Sequence, residues 1–261
     1  AGSVCKLTPG ASMRSSIDCM DSVVIDFANK ASLVKAMLGI STVFMVLPNH
    51  PDMVKWGENV IDAAKESGVS HIVRSGGSLA DKDSPLKIEE LLGTTDEYLK
   101  ESGVEYTITA PSFFMQNFVN FFADDYKSGT LYQPAGEGKI GWVDVRDIAA
   151  VNVEVLLNPK HYTSQSLTIT GAENLTYAQT VQQMNQYLGK ESTYVAVPDE
   201  AAIEAMKDME LPDFVIDLMI SLNQSIRQGH AEKVTGTVEE ILGRKPINFE
   251  KFVEDNKNVW L

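Results

Sequence analysis

Thr42-Val-Phe-Met-Val-Leu-Pro-Asn-His50 leads into Met53–Ser67, which stops at Gly68, and His71-Ile-Val-Arg74 follows. The first stretch is a short β-branched and aliphatic run that opens into a loop at Pro48. The second carries apolar residues at helical spacing and ends in a glycine, the residue best suited to close a helix. The third is again short and apolar. Strand, helix and strand within about thirty residues make a βαβ unit. Outward from it, Val4–Leu7, Val23–Phe27, Tyr106–Thr109 and Leu167–Thr170 read as further strands, with helices at Lys30–Leu38 and at Ile88–Glu101 before Gly103. Such short strands joined by helical crossovers predict an α/β fold with a mostly parallel sheet covered on both faces. From about Asn174 the pattern turns helical, at Tyr177–Leu188, Asp199–Met209, Pro212–Gln228, Thr237–Leu242 and Asn248–Asn256. We expect an α/β core over residues 1–173 and a mainly helical C-terminal cap over 174–261, or one integrated domain.

The balance of 36 acidic against 22 basic side chains gives 261 residues a net charge of −14, which repels a phosphate backbone and disfavours nucleic acid as a partner. No apolar run of the ~18–20 residues needed to cross a bilayer occurs, so no membrane is expected and the protein reads as soluble and cytoplasmic. Two cysteines, Cys5 and Cys19, are too few for a disulfide scaffold.

Val69-Ser-His-Ile-Val-Arg-Ser-Gly-Gly77 and Asp96-Glu-Tyr-Leu-Lys-Glu-Ser-Gly-Val-Glu-Tyr-Thr-Ile-Thr-Ala-Pro111 resemble blocks of the NmrA-like family, an atypical branch of the short-chain dehydrogenases/reductases. Ser112-Phe-Phe-Met-Gln-Asn-Phe118, Trp142-Val-Asp-Val-Arg-Asp-Ile-Ala149 and Thr235-Gly-Thr-Val-Glu-Glu-Ile-Leu-Gly-Arg-Lys-Pro246 extend the resemblance, in order, over nearly the whole chain. It implies a Rossmann-like, doubly wound sheet and, by family resemblance, NAD(P)H as cofactor. The family's pyrophosphate cradle is a Gly-rich turn between its first strand and first helix, where glycine lets the backbone approach the phosphates. Neither Gly-x-Gly-x-x-Gly nor Gly-x-x-Gly-x-x-Gly is read in this chain, so no such turn is expected. Val4–Leu7 matches the rhythm of the family's second strand, so an N-terminal βαβ unit is read as absent from this numbering.

The catalytic pattern is thin as well. A short-chain dehydrogenase of the usual kind uses Tyr-x-x-x-Lys, whose ammonium lowers the phenol pKa for proton exchange. Tyr98 is followed by Ser102 at that spacing, and none of the eight tyrosines has the lysine. Where NmrA-like reductases often carry a Lys or His, the alignment of blocks puts Leu92, which transfers no proton. Thr109-Ala110-Pro111 stands where relatives commonly have Leu-Arg-Pro. No catalytic residue is therefore assigned.

Ligands of open α/β sheets bind beyond the carboxyl ends of the strands. On that side we place His50 and Trp56 after one strand, Ser75 after the next, and Phe113, Phe114, Met115 and Phe118 after a third, with Met206 of the cap as cover. His50 is also the candidate ligand for a metal carried by a bound group. His71, His161 and His230 read as structural, surface and uninformative. Asp144, Arg146 and Asp147 read as a tied helix start. The expectation is a degenerate member that binds a small, flat, largely apolar molecule, quinone-, flavonoid- or tetrapyrrole-like, without turnover. The alternatives are an NAD(P)H-dependent oxidoreductase and a NAD(P)-linked redox-sensing interaction protein. Oligomeric state stays open, a homodimer included.

Overall fold

The computed structural model describes residues 23–261, so the expected strand Val4–Leu7 and both cysteines lie outside the described residues. Within them the strands are β1 (Thr42–Met45), β2 (His71–Ser75), β3 (Glu105–Pro111), β4 (Thr130–Gln133), β5 (Gln165–Ile169) and β6 (Thr193–Ala196). The main sheet has the order β1-β2-β3-β5 and is parallel throughout, with Val43 opposite Ile72, Val73 opposite Thr107 and Thr109 opposite Leu167. This is the Rossmann-like α/β fold. β4 and β6, two short parallel strands that the sequence reading passed over, form a second sheet.

Both faces of the main sheet are covered, as parallel strands require. Helices α1 (Lys30–Met37), α2 (Met53–Glu66) and α3 (Lys87–Glu101) bury Leu33, Val60, Ile61 and Leu99 with Val43, Ile72 and Ile108 on one side. Two short helices, α4 (Asn117–Asn120) and α5 (Ala123–Ser128), follow β3. On the other side α6 (Val145–Leu157) packs Ile148, Val151 and Val155 against Val73 and Ile169. Asp144 caps α6 through the backbone N–H of Arg146 and pairs with that guanidinium at 2.7 Å, while Arg146 reaches Asp255 at 2.7 Å. Asp147 binds Arg244 at 2.7 Å, so this acidic run ties α6 to the end of the chain, the structural role expected of it.

The expected strand Val23–Phe27 is not one. It pairs with no strand among the described residues, and its in-out alternation comes from Ile25 and Phe27 packing into the α1–α2 core while Val24 faces out.

The rest is α7 (Tyr177–Leu188), α8 (Asp199–Asp208), α9 (Asp213–Arg227), α10 (Thr237–Leu242) and α11 (Phe249–Asn256). α7 starts on a reciprocal capping box between Thr176 and Gln179. The second core joins Phe118, Tyr126 and Trp142 to Tyr177, Phe249 and Trp260, so it draws on residues from both sides of position 174.

Candidate active site

The chain leaves the carboxyl ends of β1, β2 and β3 on one side of the sheet, and α3, which follows β2, begins there. After β1, His50 lies flat on Trp56 at 4.0 Å between centroids and 16°, and Trp56 stacks in turn on Phe27 at 5.6 Å. The Nδ1 of His50 accepts the backbone N–H of Asp52 at 3.0 Å, which places the proton of the neutral ring on Nε2. The imidazole is 42% exposed. Among the described residues no group of three or more His, Cys, Asp or Glu gathers as a metal site.

β2 ends at Ser75, and Gly76 and Gly77 follow against one face of α3, on which the helical spacing aligns Glu89, Leu92 and Asp96. Asp96 meets Arg74 in a buried ion pair. Burial lifts the Asp96 carboxyl above its ordinary range, with the guanidinium working against that. A Cβ on Gly77 would stand 2.9 Å from Leu92 Cδ1 and one on Gly76 3.3 Å from Asp96 Oδ1, so the two glycines let α3 close on the strand end. Glu89, one turn before Leu92, is 3% exposed and accepts hydrogen bonds from Ser84 Oγ at 2.6 Å and His230 Nδ1 at 2.7 Å. Burial acts to raise its pKa, yet these hydrogen bonds together outweigh burial and hold it below the ordinary value.

After β3, the Ser112 hydroxyl is buried with no hydrogen-bond partner. The aromatic segment beyond it divides. Phe114 is 40% exposed and Phe113 half-buried, its ring edge-on to Trp142 at 6.1 Å. Met115 and Phe118 are 2% and 1% exposed, and Phe118 sits in the second core at 5.1 Å from Trp142 and 5.2 Å from Phe249. Both side chains are packed: Phe118 lies in the second core, and the end of Met115 lies 3.5 Å from where a Cβ on Gly171, just beyond β5, would stand. Met206 is half-buried on α8, a helix with no fully buried side chain. The structure thus puts Ser75 at the end of β2 beside the glycines that meet α3, leaves His50 and Trp56 as a stacked pair, and adds Glu89 and His230. Sequence reasoning missed the last two: one signal for them was a carboxylate a single turn from Leu92.

The spacing Gly-x-Gly-x-x-Gly does occur, at Gly136-Glu-Gly138-Lys-Ile-Gly141, which corrects the reading that the chain has none. It follows β4 but opens no helix. A Cβ at Gly138 would lie 2.4 Å from the carbonyl oxygen of Ile226 and one at Gly141 2.6 Å from that of Lys233. These glycines admit neighbouring backbone, so the motif is a packing device and no phosphate cradle.

A Rossmann-like parallel sheet, with the candidate residues gathered at the carboxyl ends of its strands, defines the class. The family model "NmrA-like family" matches residues 17–253, and the chain belongs to that family. It is 36% identical over 88% of its length to an NAD(P)H azoreductase of Xenophilus azovorans, covering 80% of that protein. It is 30% identical to the agroclavine dehydrogenase of Claviceps fusiformis, over 90% of this chain and 81% of the other. In structure it is similar to the Escherichia coli NADPH-dependent quinone oxidoreductase in complex with NADPH, with a TM-score of 0.82, 21% identity, and coverage of 92% and 84%. These relatives overturn the expectation of a binding protein without turnover, since they are oxidoreductases matched over most of the chain. Leu92 misled that reading: a leucine at one position removes one proton donor and leaves the rest of the strand-end arrangement in place.

Proposed function

We propose that this protein is an NAD(P)H-dependent reductase acting on small, flat, conjugated acceptors of the quinone or azo class. The observation that carries the reading is the buried, unpartnered Ser112 hydroxyl at the end of β3, adjacent to Ser75-Gly76-Gly77, in a chain similar to an NAD(P)H azoreductase. A buried hydroxyl without a partner is costly unless a group from outside the chain engages it. That donor set fits the nicotinamide end of the cofactor, which Ser75 and Ser112 would hold. No described residue forms a strand-to-helix glycine turn, and no pyrophosphate contact follows from these residues. Bound there, the nicotinamide supplies a hydride. The chain supplies the walls: His50 and Trp56 present stacked rings on one side, Phe113 and Phe114 face from β3, and Met206 is the adaptable cover on α8.

Titrating the full chain with NADPH and NADH, followed by nicotinamide fluorescence, tests binding. Cofactor oxidation in the presence of menadione and of a sulfonated azo dye tests turnover. Saturable binding with acceptor-dependent oxidation is expected. Absence of both overturns the reading.

A further inference from the structure

Hydride addition to one atom of a quinone or azo double bond leaves negative charge on the other, and Leu92 supplies no proton for it. One helical turn toward the start of α3, on the same face, lies the Glu89 carboxylate. Asp96 on that face meets Arg74, Leu92 meets Gly77, and Glu89 meets His230, so the face runs outward past the end of β2. Glu89 is acceptor-only when ionised, so His230 Nδ1 donates to it across 2.7 Å. That contact uses Nδ1 and leaves Nε2 with no partner among the described residues, on an imidazole 44% exposed. His230 arrives on the turn after α9, where its own N–H is bound to the Ser225 carbonyl and the next carbonyl, of Ala231, accepts from Gly141. Ser84 holds the second carboxylate oxygen of Glu89. A buried carboxylate that orients an imidazole and stabilises its protonated form is the arrangement that serves proton transfer in catalytic triads.

We propose that His230 is the proton donor of the reductase proposed above, on which this inference rests, and that Glu89 is its positioning residue. The cofactor's hydride, with its electron pair, forms a bond to one atom of the acceptor double bond and the π bond breaks. The Nε2 proton of the His230 imidazolium passes to the other atom. The neutral ring keeps its Nδ1 proton toward Glu89 and takes a proton back from water. The balance is acceptor plus NAD(P)H plus one proton, giving the two-electron-reduced acceptor and NAD(P)+. The charged groups flanking the pair are Asp81, Lys82 and Asp83 on one loop and Glu232 and Lys233 on the other.

The test compares wild type with His230→Asn, whose amide retains a donor toward Glu89, His230→Ala, and Glu89→Gln. With menadione and NADPH, the His230 variants should lose about a hundredfold in kcat, the scale of a positioned acid, with NADPH affinity unchanged. The wild-type fall in kcat with rising pH across the imidazole range should vanish in them, and added imidazole should restore turnover to His230→Ala. Glu89→Gln should lower kcat while leaving KM for NADPH unchanged, a split that a merely structural role would not give. Independently of turnover, the His230 ring proton signal, identified by its loss in His230→Asn, should move when 1,4-naphthoquinone-2-sulfonate is added without cofactor. If wild type reduces no acceptor, the proposed function fails and takes this assignment with it. If wild type is active while His230→Asn keeps its kcat and pH profile, or if the ring signal stays still, the assignment alone is overturned.

Discussion

Arg74 and Asp96 are buried together, 1% and 8% exposed, directly beneath the glycines that exit β2. Each is tolerable in the core only because the other is there. Arg74→Met leaves Asp96 as an unpaired buried carboxylate and should cost about 3–5 kcal/mol, whereas Arg74→Met with Asp96→Leu should recover most of that loss. Urea unfolding of both variants checks this, and a double variant no more stable than the single would contradict it. Phe118 is a second residue whose role depends on burial. Its ring contacts Trp142, Tyr177, Phe122 and Phe249 in the second core, so Phe118→Ala should cost about 3–5 kcal/mol as a cavity. A melting temperature near that of wild type would return Phe118 to the candidate ligand contacts.

At the scale of elements, α3 is positioned by a glycine that sequence reasoning ignored. A Cβ at Gly93 would lie 2.1 Å from the backbone nitrogen of Lys82, so the loop carrying Ser84 lies directly on the helix. Alanine usually gains about 1 kcal/mol over glycine inside a helix. Here the backbone contact decides the sign: Gly93→Ala should destabilise by about 1–3 kcal/mol, as overpacking does, and should loosen Ser84 from Glu89. Thermal unfolding measures the first and amide exchange at residues 81–86 the second. β1, β2, β3 and β5 were legible as short runs rich in apolar and β-branched residues, and α1, α2 and α3 by their period and the glycines beyond them, whereas α4, α5 and the extent of α6 were not read. β4 and β6 were not: Thr-Tyr-Val-Ala is mostly exposed, Thr-Leu-Tyr-Gln buries only Leu131, and their pairing is what makes them strands. Val23–Phe27 failed in the opposite direction, since alternation records burial and not pairing. Of the candidate site, the residues beside strand ends were legible from chain position, whereas the contact of Glu89 with His230 spans 141 residues and exists only in three dimensions.

For the whole molecule, two buried carboxylates tie distant parts of the chain together. Glu89 joins α3 to the turn after α9, and Asp144 holds Arg146 of α6, which reaches Asp255 on α11. Burial works to raise the pKa of each, but the hydrogen bonds from Ser84 and His230 at Glu89, and from Arg146 at Asp144, lower both below their ordinary values. A carboxylate whose pKa is lower in the folded state binds protons more weakly there than in the unfolded chain. Its stabilising effect is therefore full above about pH 4–5 and drains away as the pH falls through the folded value. Asp96 has the opposite sign, because its folded pKa is raised and folding gains relative favour on its protonation. Stability measured as melting temperature should thus hold near neutrality and fall on acidification below about pH 4. Glu89→Gln and Asp144→Asn should each lower the neutral plateau and flatten the acid slope, since neither amide titrates. Asp144→Asn retains an N-cap acceptor, so its loss should report the Arg146 pair rather than the cap. A variant that keeps the wild-type plateau and the wild-type slope would show that its carboxylate does not hold those elements together.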